Sequence, residues 1–200
     1  MNERVLALGA ESVITLVERW GRILVEKTRV RKPYLLAEID AFLRKQRTSR
    51  ECRMLSYARG LGIPTPAVYA VNWNRFSILM DFISGEQLKK IAQSCTETEL
   101  RQLCEEFGQM IARLHKGGVA HGDPTTSNVI VDSRRRLWIV DFGLAEWNAT
   151  VEMMGVDLHL VRRTLETTHW DRQDIMLESV MSGYERAMGA AAEEVFARME

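Results

Sequence analysis

The stretch His121-Gly-Asp-Pro-Thr-Thr-Ser-Asn128 is followed thirteen residues later by Asp141-Phe-Gly143. Read together, the two segments describe a phosphoryl-transfer site. Their spacing supplies an acid at Asp123, an amide at Asn128 and a second acid at Asp141. In sites of this kind the first acid orients an attacking hydroxyl, while the amide and the last acid hold magnesium against nucleotide phosphates. The roles need different chemistry. Asp123 must accept a proton or a hydrogen bond, Asn128 must ligate through a neutral oxygen beside two anions, and Asp141 must bring full negative charge to a hard cation.

Either motif alone carries little, since an isolated Asp-x-x-x-x-Asn is usually a solvated turn and Asp-Phe-Gly is short. Their setting adds the weight. Val129-Ile-Val131 follows Asn128, Leu137-Trp-Ile-Val140 precedes Asp141, and Asp132-Ser-Arg-Arg-Arg136 separates the two apolar runs. The pattern predicts a β-hairpin that carries both metal ligands at one end.

Upstream, short apolar bursts at Val5 to Leu8, Val13 to Val17 and Ile23 to Val25, punctuated by Gly9 and Gly21, predict two or three antiparallel strands. The turn Gly9-Ala-Glu-Ser12 would let backbone amides approach phosphate, although one glycine is much less than a full glycine-rich loop. Lys27 ends the third strand, where its ammonium would reach the α- and β-phosphates. Glu51 follows 24 residues later on a helix, the pairing that fixes such a lysine. Leu35 to Leu61 has helical periodicity, with a break expected near Thr48 and an end at Pro64 and Pro66. Two further strands, Ala67 to Val71 and Phe76 to Met80, lead to a crossover at Asp81-Phe-Ile-Ser-Gly85. There the backbone from Asp81 to Ile83 is expected to face an adenine ring.

Thr96-Glu-Thr-Glu99 is a capping-box signature, and Leu100, Leu103, Cys104, Phe107, Met110, Ile111 and Leu114 recur at helical spacing until Gly117-Gly118. This stripe reads as core, and His121 as a hydrogen-bonded brace for the loop. After Gly143 a further helical pattern begins around Leu158, Val161 and Leu165, and one or two more helices follow Asp174. The fold expected is α+β: a small antiparallel β-rich lobe over residues 1–83 with the helix carrying Glu51, and a mainly helical lobe over 84–200.

Two hundred residues, 46% of them hydrophobic, are enough for one compact domain or two small lobes. The formal net charge is zero, so the overall field does not favour a polyanion. Charge is unevenly placed, however, with eight Lys or Arg from Arg29 to Arg53 against Glu38, Asp40 and Glu51. That run reads either as a solvated helix face or as a tRNA surface. Cys52, Cys95 and Cys104 form no Cys-x-x-Cys pair, which argues for free thiols in a reducing compartment and against structural zinc. No 18-residue apolar window and no leader pattern is present, so a cytoplasmic protein with no membrane association is expected.

Two departures from peptide kinases stand out. No Ala-Pro-Glu anchor follows Asp-Phe-Gly, and Thr125 stands where such kinases place a lysine near the transferring phosphate. Losing that charge weakens stabilisation of a developing anion by a few kcal/mol, on the order of other such removals. A slow, partner-dependent phosphotransferase or ATPase is expected.

Taken together, Gly9-Ala-Glu11, Lys27-x-Arg29-x-x-Lys32-x-Tyr34, Arg47-Thr-x-x-Glu51, the His121 to Asn128 loop, Asp141-Phe-Gly-Leu-Ala145 and Val156-Asp-Leu158 resemble the small atypical kinase family of the KEOPS complex. That family is related to the RIO kinases and includes the p53-related protein kinase. The resemblance implies a reduced two-lobed kinase fold binding ATP and Mg2+. Contact with the threonylcarbamoyl-transferase subunit and other KEOPS subunits is implied, as is support for threonylcarbamoyladenosine formation at position 37 of tRNA. It assigns Asp123 as catalytic base, Asn128 and Asp141 as magnesium ligands, and Lys27 and Glu51 to the nucleotide site. It also implies serine/threonine kinase activity. Pro124 departs from the usual leucine, and the arginine-rich tail that members often carry is not seen after Met199-Glu200. Two other readings compete: a small-molecule kinase of the aminoglycoside or choline type, and a nucleotide-binding scaffold without turnover.

Overall fold

The computed structural model describes residues 4–9 and 11–199. Three strands open the chain: β1 (Arg4–Leu8), β2 (Ser12–Arg19) and β3 (Arg22–Arg29). Trp20 and Gly21, both with positive φ, close β2 onto β3 in a two-residue turn whose twist suits a hairpin. Gly9 N donates to Ser12 O across the first turn; Ala10 within it lies outside the described residues. Helix α1 (Ala37–Gly60) then leads to β4 (Val68–Asn72) and β5 (Ser77–Asp81). The five strands form one antiparallel sheet in the order β1-β2-β3-β5-β4.

The expected break in α1 near Thr48 does not occur. No Gly or Pro lies between Ala37 and Arg59, and Thr48 is fully buried. A threonine costs a helix only tenths of a kcal/mol, roughly, which a cooperative run of packed turns absorbs. Met54, Leu55 and Ala58 form the buried stripe of this helix, whereas Ile39 and Phe42 in its first half are exposed.

The second lobe starts with β6 (Gly85–Gln87) and the short α2 (Leu88–Ile91). Next comes α3 (Glu97–Lys116), where Thr96 Oγ1 accepts from Glu99 N as the capping pattern predicts. The Glu99 carboxylate, however, pairs with Arg135. After β7 (Val119–Ala120) the chain passes through a single 3-10 turn, Thr126–Asn128, into β8 (Val129–Asp132) and β9 (Leu137–Ile139). The last two form the antiparallel hairpin read from the sequence, with β6 added on the β8 side.

The remainder is β10 (Glu146–Trp147), paired with β7, followed by α4 (Val151–Thr168), α5 (Gln173–Met188) and α6 (Ala192–Phe196). Helix α4 starts seven residues before the Leu158 periodicity announces it, because Thr150 caps it by accepting from Met153 N. Helices α3 and α5 touch through reciprocal glycines. A Cβ on Gly108 would stand 2.0 Å from Val180 O, and one on Gly183 would stand 2.0 Å from Glu105 O. One continuous apolar core runs from Val25, Met54 and Met80 of the small lobe to Phe107, Val161 and Tyr184 of the helical one. The architecture is a two-lobed α+β fold of the protein-kinase kind.

Candidate active site

Strand β3 turns every second residue to one face, and Val25, Lys27 and Arg29 are all buried on it. Lys27 Nζ lies 2.5 Å from Glu51 Oε1 and 2.8 Å from Asp141 Oδ2. The separation of 24 residues between Lys27 and Glu51 is closed by packing α1 against the sheet. Burial lifts the Glu51 carboxyl above its ordinary range against the pull of Lys27. Burial also works against the Lys27 ammonium, but Glu51 and Asp141 outweigh it and hold the ammonium above its usual value. Desolvation opposes the Asp141 charge as well, and Lys27 prevails, holding that carboxyl below the usual range. The Lys27–Asp141 pair therefore stays ionised.

The catalytic-loop residues meet the same cleft from the other lobe. Asn128 Nδ2 donates to Asp123 Oδ2 (2.9 Å) and to Asp123 O (3.0 Å), so amide and acid are locked together. Asp141 Oδ1 accepts from Gly143 N, which sets the carboxylate at the end of the hairpin. Phe142 is fully buried and stacks obliquely on His121, ring centroids 4.9 Å apart. His121 Nδ1 accepts from Asp123 N at 3.3 Å, which requires a neutral ring; burial lowers its pKa accordingly. The brace expected at His121 is thus the arrangement observed. Gly122 has φ of 78°, and a Cβ there would lie 2.4 Å from Leu144 O, so the middle of His-Gly-Asp admits only glycine.

Two adjoining hollows share Gly9, Ser12, Lys27 and Asp141. The larger, about 370 Å³, is roofed by apolar side chains such as Ile14, Val25 and Met80 and floored by Ile130 and Val140. The smaller, about 230 Å³, opens on Asp123, His121 and Arg29. Ile83 lines the larger hollow as expected from the crossover. Asp81 lines it too, but its amide donates to Ala67 O and its carboxylate accepts from Ala67 N and Tyr69 OH. The Asp81 N–H is consumed by the β4–β5 edge, leaving Phe82 and Ile83 as the next backbone facing the cleft. Asp123, Asn128, Asp141, Lys27, Glu51 and Gly9 thus converge from both lobes.

A divalent cation suits the donors present. Asn128 turns its amide nitrogen to Asp123, which leaves its oxygen for another partner, and Asp141 is a carboxylate in the same cleft. Among the described residues no cluster of three His, Cys, Asp or Glu could hold a metal by itself. Two protein oxygens are what a magnesium ion shared with phosphates needs.

Sequence reading gave no role in the site to four residues that support it, although Arg29 and Asp157 stand within the quoted motifs. Asp157, buried in α4, accepts from His121 N (2.6 Å) and Gly122 N (2.8 Å), and so aims the catalytic loop. His115 Nε2 donates to the same carboxylate at 3.0 Å, and its Nδ1 meets the Tyr184 hydroxyl at 2.7 Å. Arg29 is the fourth, set 2.5 Å from Glu51 Oε2. A lone acid inside the apolar stripe of α4 was the available signal for Asp157, and Lys-x-Arg on a strand was the signal for Arg29.

Part of the basic run is neutralised, while Arg31 stays exposed. Arg29 is buried, Arg44 pairs with Asp40, Arg47 with Glu11 and Arg50 with Glu146. Lys45 and Arg53 remain exposed beside Phe42 and Trp147.

Fold and site together define a kinase-like protein with a phosphoryl-transfer type of cleft. Comparison with known proteins gives the family. The RIO domain model matches residues 38–173. The chain is 38% identical over 187 residues to KEOPS complex subunit Bud32 of Pyrococcus abyssi, covering 90% of this chain and 84% of that protein. It is 36% identical over 196 residues to a probable bifunctional tRNA threonylcarbamoyladenosine biosynthesis protein of Methanosarcina acetivorans, covering 96% of this chain and 33% of that protein. The counterpart from Methanothermobacter thermautotrophicus is 36% identical over 186 residues, with 93% and 34% covered. The chain therefore belongs to the RIO domain family, in the branch of the Bud32 subunit, and spans about a third of the bifunctional relatives' length. No helix among the described residues is long and apolar enough to cross a membrane.

Proposed function

We propose that this chain is an ATP- and Mg2+-dependent phosphotransferase with ATPase activity, of the serine/threonine kinase class. On this reading it serves as the kinase-like subunit of a KEOPS-type assembly that makes threonylcarbamoyladenosine in tRNA. The observation that carries the reading is the convergence of Lys27–Glu51, Asp141 and the Asp123–Asn128 pair on one cleft. Kinship with Bud32 and with the bifunctional tRNA-modification proteins supports the assembly and the pathway. We place residues 1–83 in the lobe that covers the nucleotide and 84–200 in the lobe that presents the catalytic loop.

In this scheme the adenine lies in the apolar hollow beside Phe82 and Ile83, and Lys27 faces the phosphates. A magnesium ion between Asn128 and Asp141 would neutralise charge on the transferring group. Asp123 orients a water or a serine hydroxyl and takes its proton as oxygen bonds to the γ-phosphorus and the bond to the β-phosphate oxygen breaks. The segment after Gly143 supports hydrolysis over peptide phosphorylation, because only residues 144–150 separate it from α4, too few for a peptide platform. Thr125 in place of lysine points to slow turnover unless a partner assists. Partners proposed are the threonylcarbamoyl-transferase subunit and tRNA, the latter through Lys45 and Arg53. Those partners make the assembled complex in the cytoplasm the working form. A small-molecule kinase is disfavoured by the same kinships.

ATP hydrolysis measured with and without the transferase subunit and tRNA tests the reading. Asp123→Ala is expected to abolish hydrolysis while nucleotide binding and assembly persist. If partner-stimulated hydrolysis survives in that variant, Asp123 is not the base.

A further inference from the structure

Glu51 has no exposure to solvent, and each of its oxygens is taken by a different cation. Lys27 Nζ holds Oε1 and Arg29 Nη2 holds Oε2, both at 2.5 Å. Lys27 has a second claim on it, since Asp141 Oδ2 is 2.8 Å away. Once phosphates enter, Lys27 must divide its charge further. A buried carboxylate with a single, shared counter-ion is costly to keep ionised.

Arg29 has a looser second claim, since its other acid, Glu11, stands 3.8 Å away. Its guanidinium offers a planar fork rather than a movable point charge. It also reaches beyond Glu51. Nη1 lies 3.8 Å from Glu11 Oε2 in the turn over the smaller hollow, and Glu11 is tied in turn to Arg47 of α1. Nη2 lies 3.0 Å from where a Cβ on Gly143 would stand, so the guanidinium covers the glycine of Asp-Phe-Gly. One side chain therefore touches the turn, α1 and the Asp141 segment. The charged groups around it are Lys27 on its own strand, Glu11 on the turn, Glu51 and Arg47 on α1, and Asp141 and Asp123 below, with neutral His121 beside them.

We propose that Arg29 is a positioning residue for phosphoryl transfer: it grips Glu51 from the side opposite Lys27, so that Lys27 can turn its charge to the nucleotide while α1 stays in place. This rests on the phosphotransferase reading above. The Lys-x-Arg spacing on β3 is what makes it possible, because residues two apart on a strand share a face.

The test compares the full chain with Arg29→Met, Arg29→Lys and the double variant Arg29→Met/Glu51→Gln. Mg·ATP binding by calorimetry and steady-state hydrolysis are measured at about pH 6 and about pH 8, because burial shifts the Glu51 carboxyl upward. The parent is expected to change little between them. Arg29→Met is expected to raise the KM for ATP by about tenfold, and more at the lower pH, where Glu51 gains a proton and releases Lys27. Arg29→Lys should recover most of the pH independence by restoring a cation.

Thermal melting supplies a readout without turnover. Glu51→Gln should raise the melting temperature of the Arg29→Met chain, since it removes the uncompensated carboxylate. Parallel pH profiles with unchanged KM in Arg29→Met, or a double variant less stable than Arg29→Met alone, would overturn the proposal. A parent chain that binds no Mg·ATP would instead overturn the phosphotransferase reading and the catalytic half of this one, while the melting comparison still reads the grip on Glu51.

Discussion

Asp157 shows how much of the His121–Asn128 loop depends on one buried carboxylate from another element. Its two oxygens collect three donors, the amides of His121 and Gly122 and the His115 imidazole, and the Tyr184 hydroxyl closes the chain. Gly122 itself takes a left-handed conformation, φ 78°, that the two amide bonds to Asp157 hold in place. Replacing Asp157 by Ala strands the buried His121 amide and the half-buried Gly122 amide, a buried one being worth about 1–3 kcal/mol when left unpaired. A loss of roughly 2–5 kcal/mol in urea-melt stability is expected, together with a large drop in hydrolysis. Tyr184→Phe should cost nearer 1 kcal/mol, about one neutral hydrogen bond. Equal melting midpoints for Asp157→Ala and the parent would contradict this account.

At the scale of elements, the closest fit is between α3 and α5, where Gly108 and Gly183 bring each helix backbone against the other. Gly183→Ala is expected to push the pair apart and destabilise the chain by about 1–3 kcal/mol, the usual range for overfilling a packed interface. Circular dichroism melts would measure it; an unshifted transition would mean that the helices slide freely. Much at this scale was legible beforehand. The β8–β9 hairpin followed from two apolar runs around a polar turn, and α3 from a capping threonine and a stripe at three and four. The unbroken α1 was not legible, because its first half exposes Ile39 and Phe42 and gives no steady apolar period. The early start of α4 rests on one threonine. The candidate site was partly legible for a related reason: spacing singles out Asp123, Asn128 and Asp141, which the fold brings to one cleft, whereas the partners of Asp157 lie 35, 36 and 42 residues away and only the fold unites them. Arg29 was read as part of an outward basic face, and alternation along β3 turned it inward.

Across the whole molecule, burial keeps two histidines neutral at the centre of the helical lobe. His121 braces the catalytic loop, and His169 shares a 3.0 Å hydrogen bond with Thr126 on the same loop. Desolvation holds both below the ordinary value of 6.5. The unfolded chain therefore binds protons at a higher pH than the folded one does, and stability present above that value is lost as pH falls through it. Melting temperature should decline on acidification below about pH 6.5, and His169→Gln should flatten the decline. A pH-independent transition across that range would count against the buried neutral pair. At the same scale, the chain matches about a third of the length of its bifunctional relatives.

The brevity of the connection between Gly143 and α4 has one more consequence. Its only hydroxyl side chain is Thr150, and that oxygen is already committed to Met153 N at the first turn of the helix. That connection therefore offers no free hydroxyl for the phosphorylation mark by which many signalling enzymes turn themselves on.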